Sequence, residues 1–324
     1  MQALTHSAFG EPTAVISLAD IPKPEPSPGE VRLRMLRSPI HNHDLATIRG
    51  VYGYKPKLPA TGGTEMIGIV DACGEGVTQP TLGSRVAYVS RWGWAEYVVA
   101  TAAQCVPIPD SISDDVGAQL LAMPFSAVVL LDELHVRPGD WIAQNAAGGA
   151  VGRLLMALAQ EAGVNIVNFV RRESAAAELR GHGAKHVIRT EEEGWQAKAR
   201  ALTGGAGFAR IVDSVAGPAT VDLQRLLAQF GEIVVFGGLS GAAIKLDPSL
   251  MISLECTVRG FWITTWMQRA SAEQRMSAMQ RVFGLAMKGA LPLPVAGVYP
   301  LSKAAEALAA AEKPGRPGKV LFST

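Results

Sequence analysis

Apolar residues fall into two rhythms along this chain. From Met1 to about Asp115 they form short alternating runs. Val31-Arg32-Leu33-Arg34-Met35-Leu36 has the two-residue period of a half-buried strand, and residues 67–72, 85–89 and 95–99 read as three more. Pro22, Pro24, Pro26 and Pro28 make a stiff connection outside any sheet, because proline offers no ladder donor. An irregular all-β domain is expected here. After Asp115 short apolar strands alternate with helical stretches. Residues 141–144 lead into a Gly-rich turn and a helix from Val151 to about Ala162. Strands follow at 165–170, 185–188, 210–213 and 232–236, with helices starting near Glu173, Glu192 and Ala219 and a candidate sixth strand at 255–260. Repeated β-α-β units with short apolar strands predict a doubly wound parallel sheet. Residues 272–288 read as an amphipathic helix ended by Pro292 and Pro294, and 301–311 as an Ala-rich helix. Val320-Leu321-Phe322 is expected to pair as a strand with the first domain. The expected class is α/β: a barrel-like β domain at 1–115, a nucleotide-binding domain at 116–287, and a segment, 288–324, that rejoins the first.

Composition narrows the function without choosing it. The 324 residues, 48% hydrophobic and 18% charged, suffice for two buried cores. Lys plus Arg number 30 against 29 Asp plus Glu, with no basic run, so a nucleic-acid partner is not expected. Cys73, Cys105 and Cys256 are far apart and form no CxxC pair, which argues against a structural zinc loop or a disulfide framework and suits a reducing compartment. No signal peptide or membrane span is indicated, and the apolar stretch around 120–131 is short and broken by Pro124. A buried helix, a cytoplasmic protein and no membrane partner are the corresponding expectations.

The most informative local feature is Gln144-Asn145-Ala146-Ala147-Gly148-Gly149-Ala150-Val151-Gly152. It follows a strand and opens a helix, where backbone amides and a helix N-terminus receive a pyrophosphate. Small residues admit the dinucleotide, and Gly152 permits tight helix–sheet packing. At the next strand end the usual ribose-binding acid is absent: Asn168-Phe169-Val170-Arg171-Arg172 places two guanidinium groups there. Arginine matches a 2′-phosphate that a carboxylate would repel, so NADPH is expected over NADH, and Glu173 is read as the start of a helix. A pair of solvated surface arginines is the alternative. Asp213-Ser214-Val215 and Phe236-Gly237-Gly238 stand at later strand ends, where small residues suit either a nicotinamide or an ordinary turn.

At these residues the chain resembles the medium-chain dehydrogenase/reductase superfamily over essentially its whole length. The framework segments are Leu58-Pro59-Ala60-Thr61-Gly62-Gly63-Thr64-Glu65, Trp94-Ala95-Glu96-Tyr97-Val98 and Arg137-Pro138-Gly139-Asp140-Trp141. The 144–152 turn, Arg259-Gly260-Phe261-Trp262 with Trp266, and the stretch from Ser38-Pro39-Ile40 to Ile48-Arg49-Gly50-Val51-Tyr52-Gly53 are similar to the zinc-free mitochondrial-type trans-2-enoyl thioester reductases. The resemblance implies a GroES-like β-barrel domain, a Rossmann domain and a homodimer formed through the nucleotide-binding sheets. It also implies cofactor contacts from Asn145, Ala147, Gly148, Gly149, Ala150, Val151, Gly152, Arg171, Arg172, Ser214, Gly237, Gly238, Phe261, Trp262 and Lys319.

Tyr52 matches the tyrosine that assists enoyl reduction in those enzymes, with Tyr54 as a nearby decoy. A phenol there stabilises or protonates the enolate left when hydride reaches Cβ. Read without the family, a lone loop tyrosine is more often structural or exposed. The family loop Asn-Pro-Ser-Asp is here His41-Asn42-His43-Asp44, and Met123 stands where an Asn is common. His43 is a catalytic candidate beside Tyr52. His41, Trp92, Met123, Phe125, Trp262 and Trp266 are candidates for the substrate pocket, although the histidines read equally as hydrogen-bonded loop residues and the tryptophans as core anchors. Zinc is not expected. His41 falls at the first ligand position of the zinc alcohol dehydrogenases, but Thr64 replaces the His before Glu65 and no Cys lies near 123–126.

Three functions remain. The leading expectation is NADPH-dependent reduction of a trans-2-enoyl-CoA or acyl carrier protein thioester. The alternatives are reduction of a quinone or small enone, and a non-catalytic NADPH-binding protein.

Overall fold

The run beginning at Val31 becomes the central strand of a sheet, with Val31, Leu33 and Met35 fully buried as a two-residue period requires. The computed structural model describes residues 1–89 and 91–324, leaving Ser90 outside the described residues. Two units emerge. The first contains Met1–Ala122, Ala286–Gly289 and Leu293–Thr324, and the second Met123–Leu285 and Ala290–Pro292.

The first unit carries β1 (Gln2–His6), β2 (Ser17–Asp20), β3 (Glu30–Pro39), β4 (Ala60–Thr61), β5 (Glu65–Cys73), β6 (Arg85–Val89), β7 (Tyr97–Thr101) and β8 (Val106–Pro107). The second carries β9 (Trp141–Gln144), β10 (Asn165–Val170), β11 (His186–Arg189), β12 (Phe208–Asp213), β13 (Leu227–Val235) and β14 (Thr257–Gly260). β15 (Val295–Pro300) and β16 (Lys319–Ser323) return to the first. There a three-stranded sheet has the order β2-β1-β4. A larger one runs β15-β16-β3-β5-β6-β8, with β7 also on β3. β16 is antiparallel to β3, pairing Leu321 with Pro39, so the last strand rejoins the first domain as expected. Its core includes Leu4, Leu33, Met66, Trp94, Leu308 and Phe322.

In the second unit all six strands are parallel, in the order β11-β10-β9-β12-β13-β14. This is the doubly wound Rossmann arrangement, with the order reversing between β9 and β12. The core under it contains Val167, Phe169, Phe208, Ile211 and Ile233. The apolar stretch around Pro124 is the helix Met123–Glu133, with Pro124 in its first turn and buried residues through Leu131. The candidate sixth strand starts later than expected, because Glu255 takes a left-handed conformation (φ 47°) at a helix end.

The division between units falls at Ala122, whereas the change of texture lies near Asp115. The intervening residues are tied to the first unit by side chains: Arg37 Nε donates to Asp115, Gln119 donates to the Leu293 carbonyl, and the amides of Leu121 and Ala122 donate to Glu65. Among the described residues no helix is long and apolar enough to cross a membrane.

Candidate functional site

Parallel strands present their carboxyl ends along one edge of a sheet, and the crevice at the order reversal is where α/β sheets receive ligands. In the second unit that edge carries the Asn145 turn after β9, Arg171 and Arg172 after β10, Ser214 after β12, Gly237 and Gly238 after β13, and Phe261 and Trp262 after β14. After β9 the chain passes through Ala146 with φ 49° into the helix Ala150–Glu161, whose N-cap is Gly149. A Cβ on Gly152 would sit 2.5 Å from the Ala147 carbonyl oxygen and 2.6 Å from its Cα, so helix and turn meet at a distance only glycine allows. The first amides of this helix are available to an anion.

Arg171 and Arg172 are both exposed, and neither has an ion-pair partner among the described residues. Glu173 opens the following helix, and its carboxylate is taken by Arg180 at 2.8 Å and Arg189 at 3.1 Å. Thus the acid nearest the strand end is already paired, while the guanidinium groups are exposed.

Below this edge lies a buried polar network that the sequence did not announce. Asp213, fully buried, accepts from Asn145 Nδ2 (2.6 Å), Thr220 Oγ1 (2.6 Å) and the amides of Val215 and Ala216. Asn145 Oδ1 in turn accepts from the Ser214 amide at 2.7 Å. Gln144 Nε2 donates to the Gly152 carbonyl and to Asn168 Oδ1, both at 2.7 Å. Buried polar groups are costly unless paired, and these pairs lock the loops after β9 and β12 together. The available signal was a polar residue inside otherwise apolar strands: Gln144, Asn168 and Asp213.

In the first unit, the loop His41-Asn42-His43-Asp44 opens the helix Asn42–Ile48, with His41 at the N-cap and Asp44 accepting from the His41 amide at 2.8 Å. His41 Nε2 lies 2.8 Å from Glu65 Oε2, both side chains buried, while Glu65 Oε1 accepts from the Leu121 and Ala122 amides. Burial pushes Glu65 up to about 8, against the pull of those two amides. Burial, then the charge of Lys319, holds His41 well below its ordinary range. His43 Nε2 meets Thr64 Oγ1 at 2.6 Å, and Thr64 Oγ1 donates to Asp44 Oδ1 at 2.8 Å. The His43 ring stacks on His41 (centroids 4.9 Å, 15° between planes) and on Tyr52 (5.8 Å, 29°). Three expected residues, His41, His43 and Tyr52, therefore form one column of rings.

The remaining candidates have varied settings. Trp92 is 53% exposed and Trp262 42% exposed, so neither is a core anchor. Trp266 is buried with its ring edge-on to Phe125, centroids 5.8 Å apart, and Met123, half-buried, begins the same helix as Phe125. Lys319 in β16 is buried in the first unit, its ammonium donating to the Ile40 carbonyl at 3.4 Å beside the His41 cluster.

A β unit with a Rossmann unit whose switch-point edge bears a small-residue turn defines a nucleotide-dependent dehydrogenase or reductase. Residues 27–110 match the profile of the alcohol dehydrogenase GroES-like domain, and residues 150–280 that of the zinc-binding dehydrogenases. The chain belongs to the medium-chain dehydrogenase/reductase superfamily, in the family that includes the mitochondrial enoyl-[acyl-carrier-protein] reductases. It is 30% identical to the human mitochondrial enoyl-[acyl-carrier-protein] reductase over 322 residues, covering 97% of this chain and 86% of that protein. A putative NADPH:quinone reductase from Bacillus thuringiensis is 28% identical with a TM-score of 0.93, over 100% of this chain and 98% of the other. A mycobacterial protein solved as its complex with NADPH is 27% identical with a TM-score of 0.88, over the full length of both chains. The residues do not fit the zinc of the second profile's description. His41 and Glu65 spend their facing atoms on each other, Thr64 stands beside Glu65, and among the described residues no three His, Cys, Asp or Glu side chains group as metal ligands.

Proposed function

We propose that this chain is an NADPH-dependent reductase of a carbon–carbon double bond conjugated to a carbonyl, acting on a quinone or small enone. The observation that carries the cofactor is the pair of exposed guanidinium groups at the end of β10 with Glu173 turned to Arg180 and Arg189. Arg171 and Arg172 hold a 2′-phosphate, the amides opening the helix Ala150–Glu161 hold the pyrophosphate, and the Asn145–Asp213 network keeps the neighbouring loops in register. The mycobacterial relative solved with NADPH supports this assignment. NADPH, when bound, supplies a hydride. Tyr52 donates a hydrogen bond to the carbonyl oxygen as negative charge grows there, and His43 lies against its ring.

Likeness to the quinone reductase structure supports the quinone or enone substrate. So do the two departures from the thioester reductases, His41-Asn42-His43 and Met123. Reduction of an enoyl thioester of CoA or acyl carrier protein is the second reading, favoured by 30% identity with the human reductase over nearly the whole chain. A homodimer in a reducing, cytoplasmic setting, with Cys73, Cys105 and Cys256 as thiols, completes the proposal.

The test is NADPH consumption with a quinone, a simple enone and a short 2-enoyl-CoA in parallel, using the parent chain and Tyr52→Phe. Turnover of the quinone or enone above the thioester is expected, with Tyr52→Phe slower by about tenfold or more. Preference for the thioester would move the assignment to the second reading. Absence of turnover with all three would overturn both.

A further inference from the structure

The proposed chemistry uses Tyr52 and leaves the link from His43 through Thr64 to Asp44 without a task. That link fixes where a proton sits. Thr64 has one hydroxyl proton and donates it to Asp44 Oδ1 at 2.8 Å. Its oxygen then has only lone pairs to offer His43 Nε2, 2.6 Å away. Nε2 must carry hydrogen. Burial lowers the affinity of this ring for a second proton, against the pull of Asp44, so the imidazole is neutral and its Nδ1 is bare. Among the described residues no group donates to His43 Nδ1, and the side chain remains 22% exposed. Stacking between His41 and Tyr52 holds the plane of the ring, and with it the direction of that lone pair.

We propose that His43 Nδ1 is a hydrogen-bond acceptor in the substrate site, selecting conjugated carbonyl compounds that also bear an O–H or N–H donor. Thr64 and Asp44 are positioning residues that set the tautomer. The inference rests on the reading that Tyr52 borders the substrate, since His43 lies against its ring. An acceptor held in this way penalises a ligand that lacks the donor, because the nitrogen is then left unpaired when water is excluded. Its chemistry differs from that of Tyr52: the phenol donates to the carbonyl, whereas the imidazole accepts from a second group.

Two measurements test this. The first is nitrogen NMR of the histidine-labelled protein, which distinguishes protonated from bare ring nitrogens. His43 is expected to show a bare Nδ1 and a protonated Nε2. Thr64→Val should abolish that preference and Thr64→Ser should retain it. A proton on Nδ1 in the parent protein, or an unchanged tautomer in Thr64→Val, overturns the inference. The parent spectrum alone decides the matter if Thr64→Val does not fold. The second compares kcat/KM for a γ-hydroxy cyclohexenone and its γ-methoxy ether. The hydroxy compound should be preferred by about tenfold, with the preference collapsing in His43→Phe and Thr64→Val and returning in Thr64→Ser. Equal parent values overturn it. Should the parent protein reduce neither compound, the reductase reading falls, and the inference is judged on dissociation constants: tighter binding of the hydroxy compound by the same factor supports it, and equal binding overturns it.

Discussion

Glu65 is a carboxyl group fully enclosed by protein, with one oxygen on two amides and the other on His41. Burial raises it from 4.5 in the unfolded chain to about 8 when folded. A raised folded value contributes stability that is fully present below 4.5 and is lost as pH rises through 8. Glu65→Gln mimics the protonated acid and removes this dependence. The stability of the parent relative to Glu65→Gln should therefore fall between these limits, by up to ~1.4 kcal/mol per pH unit, and level off above 8. Denaturant unfolding across that range checks it, and a difference that grows with pH would contradict it. Arg171 has no such enclosure. Arg171→Ala should raise the KM for NADPH by about tenfold or more and leave that for NADH nearly unchanged, since only the 2′-phosphate is lost as a partner. Equal effects on the two nucleotides would remove the basis for choosing NADPH.

Among the elements, the turn between β9 and the helix Ala150–Glu161 tolerates least. Gly152→Ala would press a methyl group into the backbone of Ala147, which cannot rotate away as a side chain could. A loss of about 1–3 kcal/mol of stability is expected, along with weaker nucleotide binding as the turn shifts. Thermal unfolding and an NADPH titration would read the two effects separately. The role of this glycine was legible in the sequence because a small residue one helical turn into a βα unit has a local cause. So were the strands, whose periods are local, and the arginine pair, which a fixed spacing from the turn picks out. The column of rings was half legible. His41, His43 and Tyr52 lie within a dozen residues, but the groups that orient them, Thr64 and Glu65, come from β5 and its approach. Asp213 was harder still. It stands 68 residues beyond Asn145, and nothing local tells a buried strand-end aspartate from an exposed one. The division at Ala122 is non-local in the same way, being set by the reach of Glu65 and Gln119.

At the scale of the whole molecule, the chain folds its two ends into one unit. β16 lies between β15 and β3, and its Val320, Leu321 and Phe322 are buried. Phe322 meets Trp94 edge-on with ring centroids 5.2 Å apart. Phe322→Ala should cost about 3–5 kcal/mol in denaturant unfolding, because its ring is fully buried against Trp94. A loss below 1 kcal/mol would mean that β16 is not the structural tie described above.

The same tie sets a schedule for synthesis. β3 leaves the ribosome well before the partner of its Pro39, since Leu321 is translated only after the whole Rossmann unit. At ~5–20 residues per second, the roughly 280 residues between them take about 15 to 55 seconds. Throughout that interval Ser38 and Pro39 at the end of β3 lack their native partner strand, while the intervening Rossmann strands need nothing from β16 to complete their own sheet. The nascent chain thus carries a short unpaired strand end until β16 emerges, and it is at this stage that a holdase or a codon-dependent pause would affect the yield of native protein most.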